Sequence, residues 1–236
     1  MEIAASIKNL IKDFYVVEES IRVLSDINTE IRMGELTMLI GPSGCGKTTL
    51  ISIISGILSS TNGSIKVLNR CLNDMTDREK VIFRRKHIGF IFQQYNLHPS
   101  LTTTENVAIP LVADGMSYED ACIKAQQLLE QMGMREQTEK LPNQLSGGQQ
   151  QRVAIARGLV HHPQLIICDE PTAALDTKTG QAVTQILRDI ANDTNRAVLI
   201  VTHDNRVLHF ADRILEMNDG RIISDSKGEY TQRRNI

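Results

Sequence analysis

Three clusters of residues in this sequence could do phosphate chemistry. The first, Gly41-Pro42-Ser43-Gly44-Cys45-Gly46-Lys47-Thr48, has the spacing G-x-x-x-x-G-K-[ST]. Between a strand and a helix, such a loop turns its backbone N–H groups inward on phosphates, aided by the helix N-terminus. Gly44 and Gly46 allow close backbone approach. Lys47 sets a compact positive charge on the outer phosphates, Thr48 offers its hydroxyl to Mg²⁺, and Thr49 adds a contact to the inner phosphate. Cys45 lends only backbone, although a thiol at a helix N-terminus can have a lowered pKa and is a candidate for alkylation. The second cluster ends the apolar run Leu165-Ile166-Ile167-Cys168 with Asp169-Glu170. That is the C-terminal edge of a core strand, where α/β sheets place their ligands. Asp169 would hold Mg²⁺, mostly through water, and Glu170 would polarise an attacking water as general base. Acidic residues after strands also serve as helix caps, but the following Pro171-Thr172 and Ala174-Leu175-Asp176 favour the catalytic reading. The third cluster, Leu145-Ser146-Gly147-Gly148-Gln149, ends a loop and opens a helix through Val153, Ala154 and Ala156 to Val160. Ser146 and the glycine amides therefore form a second anion-binding helix end. One chain does not need two such ends for one nucleotide. Two chains packed head to tail do, each closing the other's ATP.

These residues need elements to hold them. Alternating apolar residues in Ile3-Ala5-Ile7 and from Ile27 to Ile31 predict an antiparallel sheet leading to a turn at Gly34-Glu35. Leu36 to Ile40 reads as a central strand covered on both faces, followed by the phosphate loop and a helix from Thr48. Ile65 to Leu68 and Ile88 to Phe92 are further predicted strands, with a surface helix over Asp77 to Lys86 between them. From Gln94 to His162 the pattern turns helical, with capping-box spacing at Ser117 and a C-cap at Gly133. Strand Leu165–Cys168, helix Thr177–Ala191, strand Ala197–Thr202, a short helix and strands around Ile214 and Ile222 complete the pattern. The fold class predicted is α/β: a P-loop NTPase core, residues 1–93 and 163–236, with an antiparallel β subdomain. A helical subdomain, residues 94–162, is inserted within this single domain of residues 1–236.

A chain of 236 residues, 41% hydrophobic, can bury a real core. Its net charge of -2 gives no general pull toward nucleic acid or anionic lipid. The start Met1-Glu2-Ile3 carries no basic n-region, so no secretory signal is expected. Thr48 to Ile65 is uncharged for the length of a membrane span. However, Ser, Thr, Asn and Gly interrupt it, and its apolar residues fall near helical spacing, so a buried helix and a turn are predicted. Cys45, Cys71, Cys122 and Cys168 form no C-x-x-C pair, which fits a reducing compartment and argues against a disulfide frame or zinc site.

Taken together, the three clusters resemble the ATP-binding-cassette (ABC) family, and the pattern spans nearly the whole chain. The resemblance implies the ABC ATPase fold, ATP and Mg²⁺ as ligands, and ATP hydrolysis by a homodimer. It implies that Gln93, which follows Phe92, contacts Mg²⁺ or the lytic water, with the neighbouring Gln94 as the alternative. His203 matches the histidine that touches the γ-phosphate, Asp176 matches the residue that crosses the dimer interface, and Phe14 or Tyr15 matches the aromatic that stacks on adenine. The implied partners are a second copy of the chain, an integral membrane permease and, through it, a periplasmic adaptor. The implied location is the cytoplasmic face of the bacterial inner membrane. Tyr95, Leu97 and Leu101, near Gln93, are the expected docking residues for the permease, the alternative being that they fill the insert's own core. Gly89 to Leu97, Glu105 to Leu111 and Thr202 to Arg206 are similar to a branch that holds macrolide-type exporters, lipoprotein-release ATPases, the cell-division ATPase and heterocyst glycolipid exporters. Cys168 with His203-Asp204-Asn205-Arg206 is most similar to the last of these. Two readings follow: a motor for an exporter, or a regulatory ATPase of the cell-division type acting on a permease-like partner without transport.

Overall fold

The computed structural model describes residues 2–16 and 19–228; Met1, Val17, Glu18 and residues 229–236, which include both ends of the expected 1–236 domain, lie outside the described residues. Strands β1 (Ile3–Val16) and β2 (Glu19–Arg32) pair antiparallel. With β4 (Asn62–Val67) and β5 (Arg70–Cys71) they form a sheet of order β2-β1-β4-β5. The second sheet has order β10-β9-β3-β8-β7-β6. Its strands are β3 (Leu36–Ile40), β6 (Ile88–Ile91), β7 (Leu165–Asp169), β8 (Ala197–Val201), β9 (Arg213–Asn218) and β10 (Arg221–Lys227). All of its neighbours pair in parallel except β9 with β10. Parallel strands covered on both faces should be continuously apolar, and β8, Ala-Val-Leu-Ile-Val, is buried throughout.

Helix α1 (Lys47–Ile54) follows β3 through the phosphate loop and buries Leu50, Ile51, Ile53 and Ile54 between the two sheets. The uncharged stretch that begins there is thus a short core helix; among the described residues no helix is long and apolar enough to cross a membrane. Helix α2 (Asp77–His87) starts at a capping box in which Thr76 and Glu79 satisfy each other's backbone N–H groups. Helices α3 (Thr103–Ala113), α4 (Tyr118–Gln131) and α5 (Gly147–Leu159) make up the predicted insert. They share a core of Val107, Leu111, Ala125, Leu129, Val153 and Ala156.

Helix α5 belongs to two cores. Val153 and Ala156 face the insert, while Ile155 and Leu159 pack with Ile91 and Ile166 of the large sheet. Two glycines permit this contact: a Cβ on Gly89 of β6 would stand 2.2 Å from the carbonyl oxygen of Gly158 of α5. Helix α6 (Thr177–Ala191) lies on the same sheet. Its fully buried Arg188 is paired with Asp212, whose carboxylate also accepts from the Leu36 N–H. A buried charge is tolerable only when it is paired in this way.

Candidate active site

The phosphate loop, β7 and β8 meet in a cavity of about 670 Å³. It is lined by Gly41, Pro42, Ser43, Gly44, Gly46, Lys47, Thr48 and Thr49 of the loop and helix, and by Gln93, Asp169, Glu170 and His203. The sequence-predicted phosphate and catalytic residues therefore converge. Gln93 lines the cavity and Gln94 does not. Ordinary side chains would not fit the loop's tight start: a Cβ at Gly41 would lie 2.0 Å from the Met217 carbonyl oxygen. Lys47, only 7% exposed, spans the loop and donates from Nζ to the carbonyls of Gly41 and Pro42, both at 2.8 Å.

Cys45 is not in the cavity wall, and burial limits access to the thiol expected to be open to alkylation. It is 5% exposed, and its Sγ would lie 3.1 Å from a Cβ on Gly41.

Asp169 and Glu170 are adjacent, so in a continuing strand their side chains would point to opposite faces. Both nevertheless reach the cavity, because Glu170 has φ +49. Its N–H stays fixed to the Val201 carbonyl at 2.9 Å while the side chain swings toward His203. Glu170 Oε1 meets His203 Nδ1 at 2.9 Å. Thr48 Oγ1 donates to Asp169 Oδ2 at 3.2 Å. Burial pushes the Asp169 carboxyl above the usual carboxylate range, and Glu170 adds to this, while Thr48 and Lys47 oppose it. A hydroxyl and a carboxylate in contact at a phosphate loop are the hard oxygen donors that suit Mg²⁺, which takes few protein ligands beside substrate phosphates. Among the described residues no group of three or more His, Cys, Asp or Glu forms a metal cage of its own.

The remaining candidates lie elsewhere. Ser146 caps α5 in a capping box with Gln149 and, with Gly147, Gly148 and Gln149, stands outside the cavity. Asp176 caps α6, accepting from the Thr179 N–H at 3.1 Å and from its hydroxyl at 2.6 Å. Neither Phe14 nor Tyr15 lines the cavity. Val23 does, and nothing in the sequence marks it. The pairs Lys12↔Leu24 and Asp13↔Arg22 leave Val23 as an extra residue in β2, a bulge that turns it toward the loop.

The expected docking residues are less available than their positions suggest. Leu97 packs against the insert's core, Tyr95 is half-buried with its carbonyl held by Arg157 at 2.6 Å, and Leu101 is half-buried. A groove between α2, β6, α3 and α5 is open instead, lined by Ile57, Val81, Phe90, Phe92 and Pro110 with Arg84 and Arg157.

Comparison with known proteins matches this geometry. The sequence model of the ABC transporter family fits residues 24–173. The macrolide export ATP-binding/permease protein MacB of Psychrobacter cryohalolentis is 42% identical over 96% of this chain, which spans only 34% of that protein. The uncharacterized ABC transporter ATP-binding protein MJ0796 of Methanocaldococcus jannaschii is 42% identical over 94% of this chain and 96% of its own length. Its dimeric post-hydrolysis structure, bound to ADP and Pi, superposes with a TM-score of 0.87 at 40% identity, covering 94% of this chain and 98% of that one. The chain has the fold of an ATP-binding cassette and belongs to the ABC transporter family.

Proposed function

We propose that the chain is the ATP-hydrolysing motor subunit of a bacterial ABC transporter. Two copies close on two ATP molecules and drive an integral membrane permease from the cytoplasmic face of the inner membrane. The system is an exporter or a lipid- or lipoprotein-extruding machine with a periplasmic adaptor. One observation carries this reading: Ser146 and the start of α5 form an anion-binding helix end that lies outside the cavity holding Lys47 and Glu170. A nucleotide in that cavity lacks its second cover until another chain supplies it.

Within each site the roles divide by chemistry. The loop amides and Lys47 bind the phosphates of ATP. Thr48 and Asp169 are the residues that would hold Mg²⁺, with Gln93 lining the same cavity. Bound there, the ion neutralises charge on the transferred phosphate. Glu170 accepts the proton of the attacking water, and the His203 contact at 2.9 Å orients its carboxylate. Phe14 takes the adenine. It shares a face of the β1–β2 ribbon with Lys12 and Leu24, and Leu24 packs on Gly46 of the loop. Asp176, exposed at the start of α6, faces the second copy. The apolar groove beside Phe90 and Val81 supports docking of a permease helix. The dimeric assembly of MJ0796 and the permease in the name of MacB support the same partners.

The test is complementation. A chain with Lys47→Ala and one with Ser146→Arg are each inactive as homodimers, but a mixed dimer retains one intact site. Mixing them should restore up to about half of wild-type turnover per heterodimer, in proportion to the heterodimer measured by differently tagged pull-down. Heterodimers that form without regaining ATPase would sink the shared-site reading.

A further inference from the structure

The reacting carboxylate and its histidine sit on separate loops, and a network of side chains outside the cavity holds those loops together. After Glu170 the chain passes through Thr172, which is 1% exposed, to Thr177 at the start of α6. After His203 it passes through Asp204, whose N–H donates to Thr202 Oγ1 at 3.0 Å. Asp204 Oδ1 accepts from Nε of Arg206 and Oδ2 from Nη2, both at 2.8 Å. The Thr172 hydroxyl faces Asp204 Oδ2 at 3.4 Å. The third arm of the same guanidinium, Nη1, donates to Thr177 Oγ1 at 2.7 Å. Arg206 thus grips the His203 loop with two arms and the segment after Glu170 with the third.

We propose that Arg206 is a positioning residue for ATP hydrolysis, a strut that sets the separation of the His203 loop from the segment that follows Glu170. The inference rests on the function proposed above. Arg206 is half-exposed, so as an ion pair it adds little to global stability. Its value is directional. A planar fork fixes angle as well as distance, which a lysine ammonium cannot do. The contact between His203 and Glu170 is a single hydrogen bond, and such bonds weaken steeply with poor alignment. The Asp204 carboxylate is held below its usual pKa chiefly by Arg206, which keeps this anchor ionised.

The test uses steady-state ATPase of the purified full chain, with melting temperature and nucleotide affinity measured alongside. Arg206→Ala and Arg206→Lys should each lower kcat about tenfold, since misplacing a catalytic group by about 1 Å can cost about 100-fold. KM for MgATP and the melting temperature should stay close to wild type. Thr177→Val, which removes only the third arm, should lower kcat less. The double variant Arg206→Ala/Thr177→Val should be no slower than Arg206→Ala alone, because both act through one strut. An Ala variant near wild-type kcat, full activity with Lys, or losses that multiply in the double variant would each overturn the proposal. A wild-type chain that turns over ATP and loses turnover in Glu170→Gln keeps the motor reading whatever Arg206 does. A wild-type chain with no ATPase would remove that reading and this inference with it.

Discussion

Replacing Glu170 by glycine should leave the folded protein more stable than replacing it by alanine, the reverse of the order expected at ordinary positions. Glu170 has φ +49, in the left-handed region. There an L-residue with a Cβ bears about 1–2 kcal/mol of steric cost, which glycine escapes. Glycine loses more chain entropy on folding, which costs it about 0.5–1 kcal/mol relative to alanine. The difference favours Glu170→Gly by about 1 kcal/mol, or roughly 2–4 °C in melting temperature for a chain of this size. Both variants lack the carboxylate, so loss of the His203 contact cancels between them. Ala173→Gly is the control: Ala173 is not among the residues with positive φ, and glycine there should cost about 0.5–1 kcal/mol. Urea and thermal unfolding without nucleotide would measure all three. Equal stability at position 170, or alanine the more stable, would refute the claim that backbone strain is what turns Glu170 into the cavity.

Two further outcomes follow from buried groups. Burial raises the pKa of Glu35 above its ordinary 4.5, against the opposing pull of Thr37 and Arg213. The stability linked to its protonated form is therefore complete below about pH 4.5 and is lost as pH rises through the raised value. Glu35→Gln keeps an acceptor for the Thr37 hydroxyl, so it should melt higher than wild type at pH 7–8 and coincide with it in acid. A lower melting temperature at neutral pH would show that the Arg213 pairing outweighs burial. For the thiols, Cys45 and Cys168 are buried while Cys71 and Cys122 are half-exposed, so iodoacetamide should label the first pair at least about tenfold more slowly, read by mass spectrometry. Rapid labelling of Cys45 would mean that the phosphate loop opens on that timescale.

What was legible in the sequence was what neighbours along the chain decide. The phosphate loop announces itself because its glycines, lysine and threonine act within one turn of backbone. Helix α6 begins and ends where the pattern from Thr177 to Ala191 places it, since Asp176 caps it locally. What distant segments decide was not legible. Cys45 is sealed beside Gly41, whose own tight fit is set by the Met217 carbonyl in β9. The choice between Phe14 and Tyr15 shows the boundary most clearly. Strand alternation says only that one of them faces the loop. Deciding which one requires the register of β1 against β2. Lys12 lies opposite Leu24, and Leu24 packs on Gly46, so Lys12 and Phe14 share the loop's side while Asp13, Arg22 and Tyr15 take the other. The Val23 bulge exchanges the faces of β2 beyond Leu24, which is why Arg22 meets Asp13 on the far side rather than Phe14 on the near one. The same bulge brings Val23 into the cavity wall, so an irregularity with no sequence signature supplies the least expected residue of the site.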